Sequence, residues 1–286
     1  MREGFGLDTI DGGEIDRVGG NGRDRENKSK NGDSHKGYYG TRAHSRRGRR
    51  QSARERTLQF SLALKITISK ENYLKTIAEA ESEGEPVIAA TLARWLKVSA
   101  PAVTMAIKRL KRDGLIRVGR EGQLSLTAAG REIANRLLNR HHLIERMLTE
   151  IFGMEWYKVH DEAEQLEHAV SEDFERRLAE RLGTGEACPH GNRVDRDTPQ
   201  DRRNRGLLPL DEVPPEADAA VVSVFERDRR LLEYLNGLGI RPGAALRMLA
   251  SNYDDTLTLS IGEKPLQLGR AAASKVWVEL RATRRA

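Results

Sequence analysis

The sequence predicts a mainly α-helical protein with a small β component, built from successive small domains. Three observations predict it. Apolar residues recur at helical spacing in several segments between Tyr73 and Leu182. Beyond Ala219 the pattern changes to short apolar runs separated by turn residues. Between the two lies a charged, proline-containing stretch at 195–217. The chain has 286 residues, of which 38% are hydrophobic and 5% aromatic. That suits small helical domains better than one large core.

Residues 1–57 hold 11 of the 26 glycines, and 14 Lys/Arg against 9 Asp/Glu. Such a segment cannot bury enough apolar surface to offset its ordering entropy. Residues 1–64 therefore read as a disordered basic tail, whose arginines between Arg42 and Arg56 suit non-specific phosphate contacts. The tail carries net +5 of the chain's +6. A DNA-binding role must therefore rest on motif and geometry, not on bulk charge.

From Thr67 the texture changes. Ser69 is the expected N-cap of a helix with Tyr73, Leu74, Ile77 and Ala78 inward, ended by Gly84-Glu85-Pro86. Val87–Leu96 predicts a second helix. Ser99 suits the cap of a third, with Pro101 in its first turn, where a missing N–H costs little. This helix runs through Val103, Ile107 and Leu110 to Asp113-Gly114. Leu115–Val118 and Gln123–Leu126 predict two strands around a turn at Gly119–Gly122. Three short helices and a two-stranded ribbon make a winged helix-turn-helix over 65–128. Its recognition helix would present Ser99, Ala100, Pro101, Ala102, Thr104 and Met105 to DNA bases. Lys108 and Arg109, with Arg117 and Arg120 on the wing, would face phosphates. Pro101 and Ala102 suit thymine methyl groups.

Thr127 caps a long helix that continues through His141 to Ile151, where Gly153 breaks it. Tyr157–Leu182 predicts another, closed by Gly183. On that second helix His160, Glu164, Glu167 and His168 fall at i, i+4, i+7 and i+8, on nearly one face. His141 and Glu145 form a second i, i+4 pair on the preceding helix. Two antiparallel helices can bring both sets together, and imidazole with carboxylate suits Mn²⁺, Fe²⁺, Zn²⁺ or Ni²⁺. The face carries no sulfur. Cys188 and His190 read as residues of an irregular turn, His142 as a neighbour without a role, and Asp161, Glu162 and Glu172 as solvated.

After a linker at 196–217, the strands Val221–Phe225, Ala245–Leu249, Thr256–Ile261 and Val276–Leu280, with a helix at Arg230–Leu238, predict a small β-barrel over 218–286. No apolar run reaches the roughly 18 residues needed to span a bilayer, and nothing reads as a signal peptide. The single cysteine excludes an internal disulfide framework. A soluble cytoplasmic protein without a membrane partner is expected.

Several segments together resemble the iron- and manganese-dependent repressors typified by the diphtheria toxin repressor. They are Glu71–Ile77, Val98–Thr104, Lys111–Leu115, Arg140–Arg146, Val159–His168 and Cys188–Asn192, spanning about 66–195. The C-terminal part is more faintly similar to the SH3-like, FeoA-like domain that many of these repressors carry. The resemblance implies a homodimer, formed through the helical domain at 129–195, that binds palindromic operator DNA when loaded with metal. It implies a role in metal homeostasis through repression of metal uptake genes. By position, His141, Glu145 and His160 match one metal site, and Glu164, Glu167 and His168 the other. Asn72 is a weaker candidate for the second site. Glu226 is a weaker candidate for the first, ahead of Asp228. The iron-responsive branch usually has cysteine at the position of Glu164 and methionine at that of Asn72. The manganese branch has glutamate at the first, but carboxylates at the positions of Asn72 and Lys75, where this sequence departs. Mn(II) is expected, with Fe(II) the alternative.

Two other readings compete. A His/carboxylate metalloenzyme is one, although no Ser/His/Asp order, phosphate loop or HExxH element supports it. The other is a winged-helix protein that dimerises without metal, its His/Glu face being an ion-pair network.

Overall fold

The structure, a computed structural model, describes residues 67–184, 187–194, 197–262 and 264–281. The expected basic tail at 1–64 lies outside the described residues. All described residues fall in one compact unit.

Helix α1 (Ile68–Ser82) is capped by Thr67, whose hydroxyl accepts from the Lys70 N–H. The cap lies two residues before the expected Ser69, because Thr67 is the last residue with extended backbone. Helix α2 (Ala89–Leu96) ends on Lys97 in the left-handed region, φ 55°. Helix α3 (Ala100–Arg112) starts at Ser99, whose side chain accepts from the Ala102 N–H. Strands β1 (Ile116–Val118) and β2 (Leu124–Leu126) pair antiparallel. Leu74, Ile77, Leu92, Val103, Leu110 and Leu115 are buried together and hold these elements. Each contributes about 1.5–3 kcal/mol of apolar burial.

Helix α4 (Ala128–Arg146) starts at Thr127, whose hydroxyl accepts from the Gly130 N–H. A Cβ on Gly130 would lie 2.0 Å from the Leu115 carbonyl oxygen, so only glycine lets α4 lie this close to the wing. One π-helical turn, Met147–Ile151, follows. The single helix expected over Tyr157–Leu182 is two: α5 (Val159–Leu166) and α6 (Glu172–Leu182). Ser171 starts a new helix by accepting from the Phe174 N–H. Glu172, Asp173 and Glu175 suit its positive end.

The segment expected as a linker, 196–217, is folded where described. It forms α7 (Pro199–Asn204), opened by a Thr198/Asp201 capping box, then β3 (Leu207–Pro209) and a 3₁₀ turn. Within it Arg203 pairs with Glu212 and Arg205 with Asp197. Arg202, 1% exposed, donates to Glu83, Asp197 and Asn192.

The C-terminal domain comprises β4 (Asp218–Val224), α8 (Arg229–Gly237), β5 (Ala245–Ser251), β6 (Thr256–Ile261), β7 (Lys264–Gly269), α9 (Arg270–Ala273) and β8 (Val276–Leu280). Among the described residues its antiparallel sheet has the order β3-β8-β4-β5-β6-β7. Asp228 caps α8 by accepting from the Arg230 and Leu231 N–H groups, so it does not face the helical domain's His/Glu cluster. Strand β7 is not among the expected strands because Pro265 and Gly269 obscure its alternation, and among the described residues it pairs only with β6. A bulge in β4, between Val221 and Ser223, shapes the site described next. Among the described residues no helix is long and apolar enough to cross a membrane.

Candidate metal centre

Four segments converge on one buried cluster. Helix α4 contributes His141, His142 and Glu145, and α5 contributes His160. The turn at Cys188–Asn192 brings Cys188 and His190, and the segment after β4 brings Glu226. His141 Nε2 lies 3.1 Å from both Glu145 Oε1 and His160 Nδ1. His160 Nδ1 is 3.3 Å from Glu145 Oε1 and 3.9 Å from Glu226 Oε1. His190 Nδ1 is 3.5 Å from Glu145 Oε1 and 3.4 Å from Glu226 Oε2. The Cys188 thiol donates to Glu226 Oε2 at 3.3 Å. Ligand atoms of His142, Glu145, Cys188 and Glu226 lie within 4.8 Å of one another, as do those of His141, His160 and Glu226.

The local backbone explains this convergence. Gly191, at φ +85°, reverses the chain beside the β4 bulge, where a Cβ would sit 1.9 Å from the Val222 carbonyl oxygen. The Val224 N–H donates to the His190 carbonyl at 2.9 Å. Asn192 Nδ2 donates to the Val224 carbonyl and to Glu226 Oε2, at 3.1 and 2.7 Å. The turn expected at Cys188 and His190 therefore exists, but its side chains point inward. Cys188 is 5% exposed and His190 fully buried. His142 is likewise part of the cluster. Cys188 Sγ and His190 Nδ1 lie 3.7 Å apart, and a thiol and an imidazole two residues apart in Cys188-Pro189-His190-Gly191 are the signal that could have found them.

The cluster's own protons balance its carboxylates. Burial and Lys75 oppose protonation of His141, but Glu145 and Glu167 outweigh them and push its pKa up to about 9. Burial also opposes protonation of His190, and Glu145 and Glu226 push it up to about 10. Burial disfavours the Glu145 carboxylate, yet His190 and His141 hold its pKa well below the usual range. Burial, with Glu226 and Glu145, pushes the Cys188 thiol well above its ordinary value. Among the described residues, Glu145 Oε2 and His190 Nε2 are buried without a hydrogen-bond partner. A buried carboxylate oxygen with no donor, amid imidazoles, fits a divalent cation.

The second expected group is assembled differently. Helix α5 ends at Leu166, so Glu167 is its C-cap and His168 lies in the following turn. Glu167 Oε2 accepts from His141 Nδ1 and from Lys75 Nζ, both at 2.7 Å. Burial raises the Glu167 pKa, but His141 and Lys75 bring it down to about 2. His168 Nε2 lies 2.6 Å from Asn72 Oδ1 and 3.5 Å from Glu167 Oε1. Glu164 is half-exposed, 3.6 Å from His160 Nε2 and 3.4 Å from Arg227 Nη1. The oxygen and nitrogen donors of Asn72, Glu164, Glu167 and His168 suit a hard cation. Lys75 and Arg227 now neutralise two of the carboxylates.

On the winged helix, Ser99, Ala100, Pro101, Ala102, Thr104, Met105, Lys108 and Arg109 are exposed along one side of α3, opposite buried Val103 and Leu110. Arg117 and Arg120 are exposed on the wing. The Thr104 hydroxyl donates to the Ala100 carbonyl at 3.0 Å.

Residues 65–124 match the iron dependent repressor N-terminal DNA binding domain, and 127–195 the iron dependent repressor metal binding and dimerisation domain. Residues 208–280 match the FeoA domain. The chain is 34% identical over 220 residues to the iron-dependent repressor IdeR of Mycobacterium leprae, covering 73% of this chain and 96% of that one. It is 37% identical over 222 residues to IdeR of Mycobacterium tuberculosis, with the same coverage. Among solved structures, a manganese-dependent transcriptional repressor in complex with manganese matches with a TM-score of 0.66 and 31% identity, over 74% of this chain and all of that one.

Proposed function

The chain belongs to the family of iron-dependent, diphtheria-toxin-type repressors, which are metal-dependent transcriptional repressors rather than enzymes. From that premise we propose that it is a Mn(II)-responsive repressor that binds palindromic operator DNA as a homodimer and controls metal uptake genes. The observation that carries the reading is the convergence of His141, His160 and Glu226, with Glu145 Oε1 at 3.1 and 3.3 Å from the two imidazoles and Glu145 Oε2 left unpartnered.

His141, Glu145, His160 and Glu226 would hold one ion, and Glu164, Glu167, His168 and Asn72 a second. Bound metal supplies positive charge that ties carboxylates of different helices together. Glu226 joins the C-terminal domain to α4 and α5. Asn72 joins α1, and so the winged helix, to the turn that carries His168. Fixing those elements sets the separation of two recognition helices in a dimer, which must match half-sites about one DNA turn apart. Exposed Phe152, Ile151 and Phe174 on the helical domain suit burial against a second copy.

Mn(II) is favoured over Fe(II) because Glu164 offers oxygen and the second group has no sulfur. The Cys188 thiol, held neutral by burial, favours a soft cation only after losing its proton. Operator binding titrated with Mn(II) and with Fe(II) under anaerobic conditions separates the two. Because affinity alone ordinarily runs Fe(II) above Mn(II), a greater extent of operator binding at saturating Mn(II) than at saturating Fe(II) is expected. Activation by Fe(II) alone would make this an iron-responsive repressor.

A further inference from the structure

Arg227 follows Glu226 directly, yet it reaches a different cluster. Its side chain is 14% exposed. Its Nη1 donates to Glu79 Oε2 on α1 and, at 3.4 Å, to Glu164 Oε1 on α5. Its guanidinium lies 4.9 Å from the centre of the Trp95 ring on α2. Trp95 also packs edge-on against Phe225, with ring centres 6.2 Å apart. Lys275 covers Phe225 at 4.9 Å and lies 3.6 Å from Glu85 Oε1. One residue of the C-terminal domain thus touches the first two helices of the DNA-binding domain and the helix carrying Glu164. Lys75 completes the arrangement from the other side, 2.7 Å from Glu167. A cavity of about 240 Å³ between them is lined by Asn72, Lys75, Trp95, Glu164, Glu167 and Arg227.

We propose that Arg227 is a resident cation of the second metal group, a latch that a divalent ion must displace from Glu164 before that group can load. A guanidinium and a metal ion compete for the same carboxylate oxygen. Like charges a few ångströms apart repel strongly in partly buried surroundings. The stack on Trp95 and the bond to Glu79 keep the displaced side chain within reach, so the metal threshold depends on the C-terminal domain's hold on α2. The inference rests on the metal-dependent reading and deepens it by naming what sets the threshold of the second group.

The test is calorimetric titration of Mn(II) into the full chain, with metal counted by mass spectrometry, for the wild type, Arg227→Met and Arg227→Lys. Arg227→Met is expected to tighten the second ion by about tenfold or more, or to reveal a second ion that the wild type does not take, with the first ion changed much less. Arg227→Lys keeps the charge but not the planar stack on Trp95 and is expected to fall between the two, while a wild-type far-ultraviolet circular dichroism spectrum and melting temperature guard against a merely misfolded Arg227→Met. An unchanged or weaker second ion in Arg227→Met overturns the latch alone. No Mn(II) uptake by any of the three proteins overturns the metal reading and the latch together.

Discussion

At the residue scale the cluster is a set of buried charges that balance one another before metal arrives. A raised imidazole pKa means that the folded state prefers the protonated ring. His141, at about 9, and His190, at about 10, therefore contribute stability that is fully present below their ordinary value of 6.5. That contribution is lost as pH rises through those values. The metal-free protein is expected to melt at progressively lower temperature from pH 7 to pH 10. Metal uptake at His141 must displace that ring's extra proton, so Mn(II) binding at pH 7 is expected to expel protons, read as a dependence of calorimetric heat on buffer ionisation enthalpy. A heat independent of buffer would show the imidazoles already neutral. Glu145, which is fully buried, is the most exacting position. Glu145→Gln is expected to weaken the first ion by about tenfold or more and, by leaving the buried imidazoles uncompensated, to destabilise the metal-free fold by ~3 kcal/mol.

At the element scale, backbone geometry decides what reaches the site. The turn at 188–192 delivers two cluster residues because Gly191 adopts φ +85° against the Val222 carbonyl. Gly191→Ala is expected to cost ~3 kcal/mol and to weaken the first ion, read by thermal melts and metal titration. A stable variant with wild-type metal affinity would mean that the turn does not hold the cluster together. The helices were legible because their apolar spacing, caps and closing glycines agree: Ser99, Thr127 and Gly183 all stand where those signals put them. Pairing His141 and Glu145 with His160 was legible for the same reason, since i, i+4 spacing survives on any straight helix. The break at 167–171 was not legible, because Glu167 and His168 continue the helical spacing and Ser171 is a cap only once the chain has turned. The fold of 197–217 was not legible because Arg202 and Asp197 look solvated in sequence, whereas they pair with one another in the interior.

At the scale of the whole molecule, Glu226 and Arg227 carry the C-terminal domain's contribution to both groups. No local pattern could place Glu226, because its partners lie at distant positions in sequence, from Asn192 back to His141, and are brought to it by the β4 bulge and the 188–192 turn. Glu226→Ala in the full chain is expected to weaken the first ion while α3 and the wing remain folded, read by metal titration beside far-ultraviolet circular dichroism. Unchanged affinity would confine the first group to the helical domain. In the proposed mechanism, metal bound between α4, α5, the 188–192 turn and Glu226 controls the DNA-binding surface of α3. The most direct measurement is the affinity of the full chain for duplex DNA from upstream of its own gene, by fluorescence anisotropy at fixed salt, with Mn(II) and with chelator. Binding at least about tenfold tighter with Mn(II) is predicted; equal affinity in both would contradict it.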